Sequence, residues 1–305
     1  VKVSLVPEPP ILALRMLVRE YFALADNLTD CKLRLSNDLH LLFPGFKTVF
    51  SDSFSAAALV VLKQCPSLQA VLKTDIDTLT AAVAQASRRS YTWAQTKVNK
   101  LLEFANTAQS MSLASILLEQ KVQIQIQTIE SLALSMAKIE TTIRQQVFAD
   151  DFPQQYRHNI ELLDAIPGIG FLSAVTLIAE IGDFSKFKSP KALAAFFGVD
   201  PAVKESGNFK GNRIQMSKRG TKLGRRVLYT IAMASIRKSS NGIPINPILK
   251  SYYEAKIVSK KKKVALVAVM HKLLHYIFAV LRDQQPFQCR LPEDHRLHHV
   301  LNLPA

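Results

Sequence analysis

Apolar residues recur at helical spacing from Ile11 to Phe43, through Leu14, Leu17, Val18, Tyr21, Phe22, Leu24, Leu28, Leu35, Leu39 and Leu42, and Pro44-Gly45 ends the run. The pattern predicts one long helix. Shorter amphipathic segments follow at about 54–64, 67–73, 75–86 and 92–109, with Pro66 and Asp75 placed as breaks or caps, and they read as a small helical insert. From Leu113 to Val147 the chain contains neither Gly nor Pro. Its apolar seam runs Leu118, Val122, Ile126, Ile129, Leu132, Met136, Ile139, Ile143 and Val147, with steps of three and four alternating over much of the second half, as in a coiled coil. Two uses fit this seam equally: packing antiparallel on the first long helix, or a dimerisation stalk that makes a homo-oligomer.

Asp150-Asp151-Phe152-Pro153 breaks the stalk, and the segment beyond it carries most of the glycines. Helices are predicted at about 156–165, 171–181, 189–197, 220–238, 246–256 and 260–283, with a loop or short hairpin across Val203 to Gln215. The fold class expected is all-α. Its organisation is a helical connector with insert and coiled-coil stalk over 1–150, a second compact domain over 151–285 and an irregular tail over 286–305.

Charge changes the picture more than composition does. Residues 1–203 hold 19 Lys or Arg against 19 Asp or Glu, whereas 204–305 hold 20 against 5, so the whole net charge of +15 lies in the last third. A one-sided excess over about 100 residues reads as a surface for a polyanion, most often nucleic acid, with solubility or an acidic protein partner as the alternative. The charge-free stretches, such as Ala165 to Ala179, fall short of the roughly 20 apolar residues a membrane span requires, so no transmembrane helix and no membrane partner is expected. Cys31, Cys65 and Cys289 are far apart, which fits neither a zinc ribbon nor a disulfide framework and suits a reducing cytoplasm. The opening, Val1 and Lys2 followed by Pro7, Pro9 and Pro10, has neither an initiator methionine nor a signal-peptide pattern, and reads as the start of a fragment.

The run Ile166-Pro167-Gly168-Ile169-Gly170 between two helical segments has the pattern of a helix-hairpin-helix. Gly168 and Gly170 are expected to permit the tight turn, and the amides opening the next helix can hold a DNA phosphate. Ile166, Ile169, Ala174 and Leu177 would pack the two helices together; a hairpin used only for packing is the plainer reading. Further on, Ser206 precedes Gly207 with Lys204, Lys210 and Arg213 nearby. A serine attacks a phosphodiester only where it is exposed and faced by cations that stabilise the phosphorane, although from spacing alone Ser-Gly in a polar loop is usually a turn. Lys218, Arg219, Lys222, Arg225 and Arg226 gather at a helix start, opposite to the dipole's preference for acids, so an anion is expected there. Lys260 to Lys263 form a second cluster, equally explained as a solvated run. His271 and His275 lie one turn apart without a third ligand in sequence, and His295, His298 and His299 fall in the tail, so no metal site is expected in this chain. There is no P-loop and no dinucleotide fingerprint.

Taken in order, Ile166-Pro167-Gly168-Ile169-Gly170, Ala194-Ala195-Phe196-Phe197-Gly198, Glu205-Ser206-Gly207 and Met216-Ser217-Lys218-Arg219-Gly220 with Arg225-Arg226 resemble the C-terminal half of transposases of the insertion sequence 110 family, the bridge-RNA-guided recombinases. The resemblance covers roughly 160–285. It implies an N-terminal RuvC-like domain with Asp-Glu-Asp-Asp carboxylates holding divalent ions (Mg), a C-terminal domain whose serine, here Ser206, links covalently to DNA, and a structured guide RNA that selects donor and target. Val1 falls after that family's last catalytic Asp. The expectation is therefore an all-α transposase fragment that binds DNA, with the RuvC-like domain missing and the isolated chain inactive. The alternative is a non-catalytic helix-hairpin-helix module that positions DNA; a nuclease fits less well, because no carboxylate cluster stands out in the basic third.

Overall fold

Polar side chains set many of the helix starts in the computed structural model, which describes residues 8–108, 116–202, 205–206, 209–210 and 216–290. Ser55, Ser67, Asp75, Ser189, Thr221 and Asn246 each accept a hydrogen bond from a backbone amide in the turn that follows, satisfying donors that have no partner within their own helix. The first half comprises α1 (Pro9–Leu42), α2 (Phe46–Val49), α3 (Ala56–Gln64), α4 (Leu68–Lys73), α5 (Ile76–Ser87), α6 (Tyr91–Ala108) and α7 (Ile116–Phe148). After it come α8 (Gln154–Asp164), α9 (Phe171–Ile181), α10 (Pro190–Phe197), α11 (Lys222–Ser235), α12 (Pro247–Ile257) and α13 (Lys262–Asp283). The strands are two residues each, β1 (Glu205–Ser206) and β2 (Phe209–Lys210), so the all-α expectation holds. The predicted helices match these bounds to within a few residues, because caps and apolar period are local properties.

By contact the chain forms two compact units, residues 21–138 and residues 1–20 with 139–305. Both long helices contribute to each. In α1, Ile11, Leu14 and Val18 are buried at one end and Leu35, Leu39 and Leu42 at the other. In α7, Val122, Ile126 and Ile129 join the core of the 21–138 unit, while Ile143 and Val147 are buried in the other. The continuous seam expected of α7 is thus divided: its ends are used within the chain, and Leu132, Met136 and Ile139 between them are only half-buried. Within the 21–138 unit, Asp38 ties α1 to α7, accepting from Lys121 Nζ at 2.8 Å and Gln125 Nε2 at 2.7 Å.

The other unit is built on α9 and α13. Every residue of α9 from Ala174 to Ile181 is buried, including Glu180, whose carboxylate accepts from Arg19 Nε at 2.9 Å and Nη2 at 3.3 Å. Arg15 caps the C-terminus of α9 by donating to the carbonyls of Ala179 (2.7 Å) and Glu180 (3.3 Å). These bonds fasten the opening turns of α1 to a helix about 160 residues away in sequence. By length and composition α13 could cross a membrane, which corrects the expectation that no stretch is long and apolar enough. More than half of its apolar window is buried, and it packs on α8, α10, α11 and α12 as a core helix.

Candidate catalytic and nucleic-acid site

The loop bearing Ser206 leaves and re-enters the helical core through a narrow neck. Helix α10 ends at Gly198 with φ 63, and Pro201 then pairs with Met216 in an antiparallel bridge. The Ser217 amide donates to Asp200 O at 2.8 Å and the Lys218 amide to Gly198 O at 3.0 Å. Ser217 Oγ also donates to Asp200 Oδ1 at 2.5 Å. Arg225 Nη1 closes the other side, donating to Phe197 O (3.2 Å) and Gly220 O (2.7 Å). The crossing is tight enough that a Cβ on Gly220 would lie 1.9 Å from Phe196 O. Gly220→Ala is therefore expected to lower stability by about 3 kcal/mol, the upper end for overpacking, because the obstruction is backbone and cannot rotate away. Urea unfolding checks this, and an unchanged midpoint would mean that the neck can widen.

Beyond the neck β1 and β2 pair antiparallel, with Glu205 opposite Lys210 and Ser206 opposite Phe209. Of the two forms expected for this segment, loop or short hairpin, the described residues show paired strands, with Ser206 on the first and Lys210 on the second. Of the other residues assigned to it from sequence, Lys204 and Arg213 lie outside the described residues, as do Gly207 and Asn208 between the strands. The basic cluster at the start of α11 divides by role. Lys218 (φ 55), Arg219 and Lys222 are exposed, Arg226 is half-buried, and Arg225 holds the neck carbonyls. No acid occupies the first turn of α11. The roles of Asp200 and Arg225 in the neck were not readable from spacing, since Asp-Pro looks like any turn and Arg225 like one more surface cation.

The hairpin between α8 and α9 is pinned from behind. Pro167 O accepts from Asn246 Nδ2 at 3.2 Å and from Ser235 Oγ at 3.4 Å. Asn246 is fully buried and also caps α12, a role whose only sequence signal is its place before Pro247. Gly168 has φ 103, and a Cβ there would meet Ser235 Oγ at 2.1 Å, so glycine is required. Gly170 differs from expectation: its φ of −109 suits any residue, and a Cβ would meet nothing within 4 Å. Its small size therefore leaves open space at the N-terminus of α9 and is not needed for the turn. Ile166, Ile169, Ala174 and Leu177 are all buried, as helix packing demands.

Among the described residues no three His, Cys, Asp or Glu side chains come together to hold a metal. The His271 and His275 rings lie 5.1 Å apart, and partial burial, His271 and Lys272 hold His275 below the ordinary imidazole range.

The neck, the hairpin and the Pro167 turn all fall within residues 160–254, which match the profile described as the Transposase IS116/IS110/IS902 family. That part of the chain is similar to the transposase domain of this family. A Pilin gene-inverting protein of Moraxella bovis is 33% identical over 139 residues, 46% of this chain and 42% of that protein. The Transposase for insertion sequence element IS1111A of Coxiella burnetii is 32% identical over 128 residues, 42% of this chain and 34% of its own length. An Insertion element IS116 protein of 44.8 kDa from Streptomyces clavuligerus is 23% identical over 267 residues, 86% of this chain and 62% of that protein. The chain thus spans less than half the length of the first two.

Proposed function

We propose that this chain acts in DNA transposition, as the part of a bridge-RNA-guided transposase that grips DNA and attacks it with Ser206. The observation that carries the reading is the neck: the strand bearing Ser206 follows a tight antiparallel crossing, and Lys218, Arg219 and Lys222, at and just past that crossing, are exposed. Rigid placement of a nucleophile next to cations is what phosphoryl transfer requires. In the proposed step Ser206 Oγ bonds to phosphorus, one P–O bond to deoxyribose breaks, and the serine proton ends on the leaving sugar oxygen. Ser217 lies at the base of the loop, where its hydroxyl and amide both bond to Asp200 and so hold the neck. The relatives named for transposition and for gene inversion support DNA strand exchange as the overall reaction.

Carboxylates and Mg are proposed to belong to a RuvC-like domain, as the family resemblance implies. A structured guide RNA is the proposed source of target choice, and the bacterial cytoplasm, on the nucleoid, the place of action. Self-association through the half-buried middle of the α7 seam is the proposed oligomer contact. Sedimentation of the chain across a hundredfold concentration range should show a rising mass, and a constant monomer would confine the seam to intrachain packing.

The test of the catalytic reading is an adduct. DNA nicked so that the cleaved fragment diffuses away, incubated with the chain and its RuvC-like partner domain, should leave a nucleotide on the peptide containing Ser206. The second reading, DNA positioning without cutting, is favoured by the open space at Gly170, where a phosphate could approach the α9 amides. Tight DNA binding with no adduct on any serine would select it.

A further inference from the structure

A second surface of the same unit lies on α12, α13 and the segment after them, and most of it is outside the family-matched residues. A cavity of about 510 Å³ opens there, lined by Ile248, Lys272, Tyr276, Val280, Phe287 and Arg290 among others. Its size falls within the range of about 300–1,000 Å³ for pockets that take small molecules.

Cations and rings alternate from its lining onto the adjoining part of α12. Lys256 Nζ lies 5.2 Å from the centre of the Tyr252 ring, and Lys272 Nζ lies 4.9 Å from that ring and 5.8 Å from the Tyr276 ring. Tyr276 in turn meets Phe287 with ring centres 5.1 Å apart. All five residues are half-buried, so each keeps part of its surface open. Asp283, which lines the cavity, accepts from Arg282 at 2.7 and 2.9 Å, and Glu254 nearby on α12 pairs with Lys250 at 3.4 Å. Lys256 and Lys272 have no carboxylate partner among the described residues. The groove is therefore aromatic on its walls and positive in net charge, a combination that takes flat, electron-rich rings joined to phosphates.

The geometry points to a stacking platform for unpaired nucleobases on this face, with Tyr252, Tyr276 and Phe287 as the rings and Lys256, Lys272 and Arg290 as partners for the flanking phosphates. An acidic peptide would use the cations but not the row of rings, and a lipid surface would not need a concave aromatic wall. Burial and the neighbouring Cys289 and Tyr252 push the Tyr276 phenol up to about 12, so it stays a neutral donor at working pH. The inference rests on the nucleic-acid reading above but assigns single strands to a surface distinct from the Ser206 neck.

The test uses the full chain, fluorescent oligothymidylate and oligouridylate of equal length, and a duplex of matching size. Tyr276→Ala is expected to weaken single-strand binding roughly tenfold or more, while duplex binding stays within about twofold. Tyr276→Phe should restore the affinity, since the ring and not the hydroxyl stacks. The thymidylate and uridylate arms tell whether DNA, RNA or both supply the bases. Photocrosslinking with 5-iodouracil in wild-type protein should label peptides containing Tyr252 or Tyr276, which keeps the test open should Tyr276→Ala fail to fold. Single-strand affinity unchanged by Tyr276→Ala, loss in Tyr276→Phe equal to that in the alanine variant, or crosslinks confined to residues 196–226 would each overturn the proposal. Failure of the nucleic-acid reading looks different, because the duplex too would then go unbound.

Discussion

Ser206→Ala is expected to abolish strand exchange in a protein that carries both this chain and a RuvC-like domain, by roughly four orders of magnitude or more. A nucleophile that forms the covalent link has no substitute in the hairpin: Ser217, the nearest serine along the neck, lies at the loop's base, where it hydrogen-bonds to Asp200. Binding should barely move, by less than about twofold, because one hydroxyl contributes little beside the surrounding charge. Ser217→Ala should act differently, loosening the neck and reducing activity partially while the adduct still forms on Ser206. Exchange at the wild-type rate by Ser206→Ala, or an adduct mapped to Ser217, would remove Ser206 from the mechanism.

Salt should weaken duplex binding steeply. From Met216 to Tyr253 the chain has eight lysines and arginines and no acid, and Lys260, Lys261, Lys262 and Lys263 add a second exposed cluster before α13. If 6–10 phosphates are neutralised by this surface, affinity should fall about 10³–10⁵-fold between 50 and 200 mM salt. Most of that slope belongs to the exposed cations. Lys218→Gln with Lys222→Gln should flatten it by roughly two released counterions, whereas Arg225 is committed to the neck and its loss should appear first as instability. Anisotropy titrations over four salt concentrations decide the point, and a flat plot would mean that the excess charge serves something other than DNA.

Local physics made much of this chain legible in sequence. Helix starts at Ser67, Asp75 and Ser189 depend on a side chain reaching an amide three residues on, and the apolar period within each helix depends on neighbours three and four apart. The charge asymmetry is a count, and the pairing of β1 with β2 joins residues only a few positions apart. Long-range partners were not legible. Nothing near Glu180 announces that Arg19 will neutralise it, and the split of the α7 seam depends on which other segments reach each end.

The sequence by itself determined the helices, their caps and the basic last third, because each follows from interactions spanning a few residues or from composition alone. Tertiary structure alone decided that Asp200 and Arg225 hold the neck, that Asn246 and Ser235 hold Pro167 from behind, and that Gly170 leaves open space where a tight turn was expected. The physical reason is separation: these hydrogen bonds join groups up to 79 positions apart, and only packing of the intervening helices brings donor and acceptor within 3.5 Å.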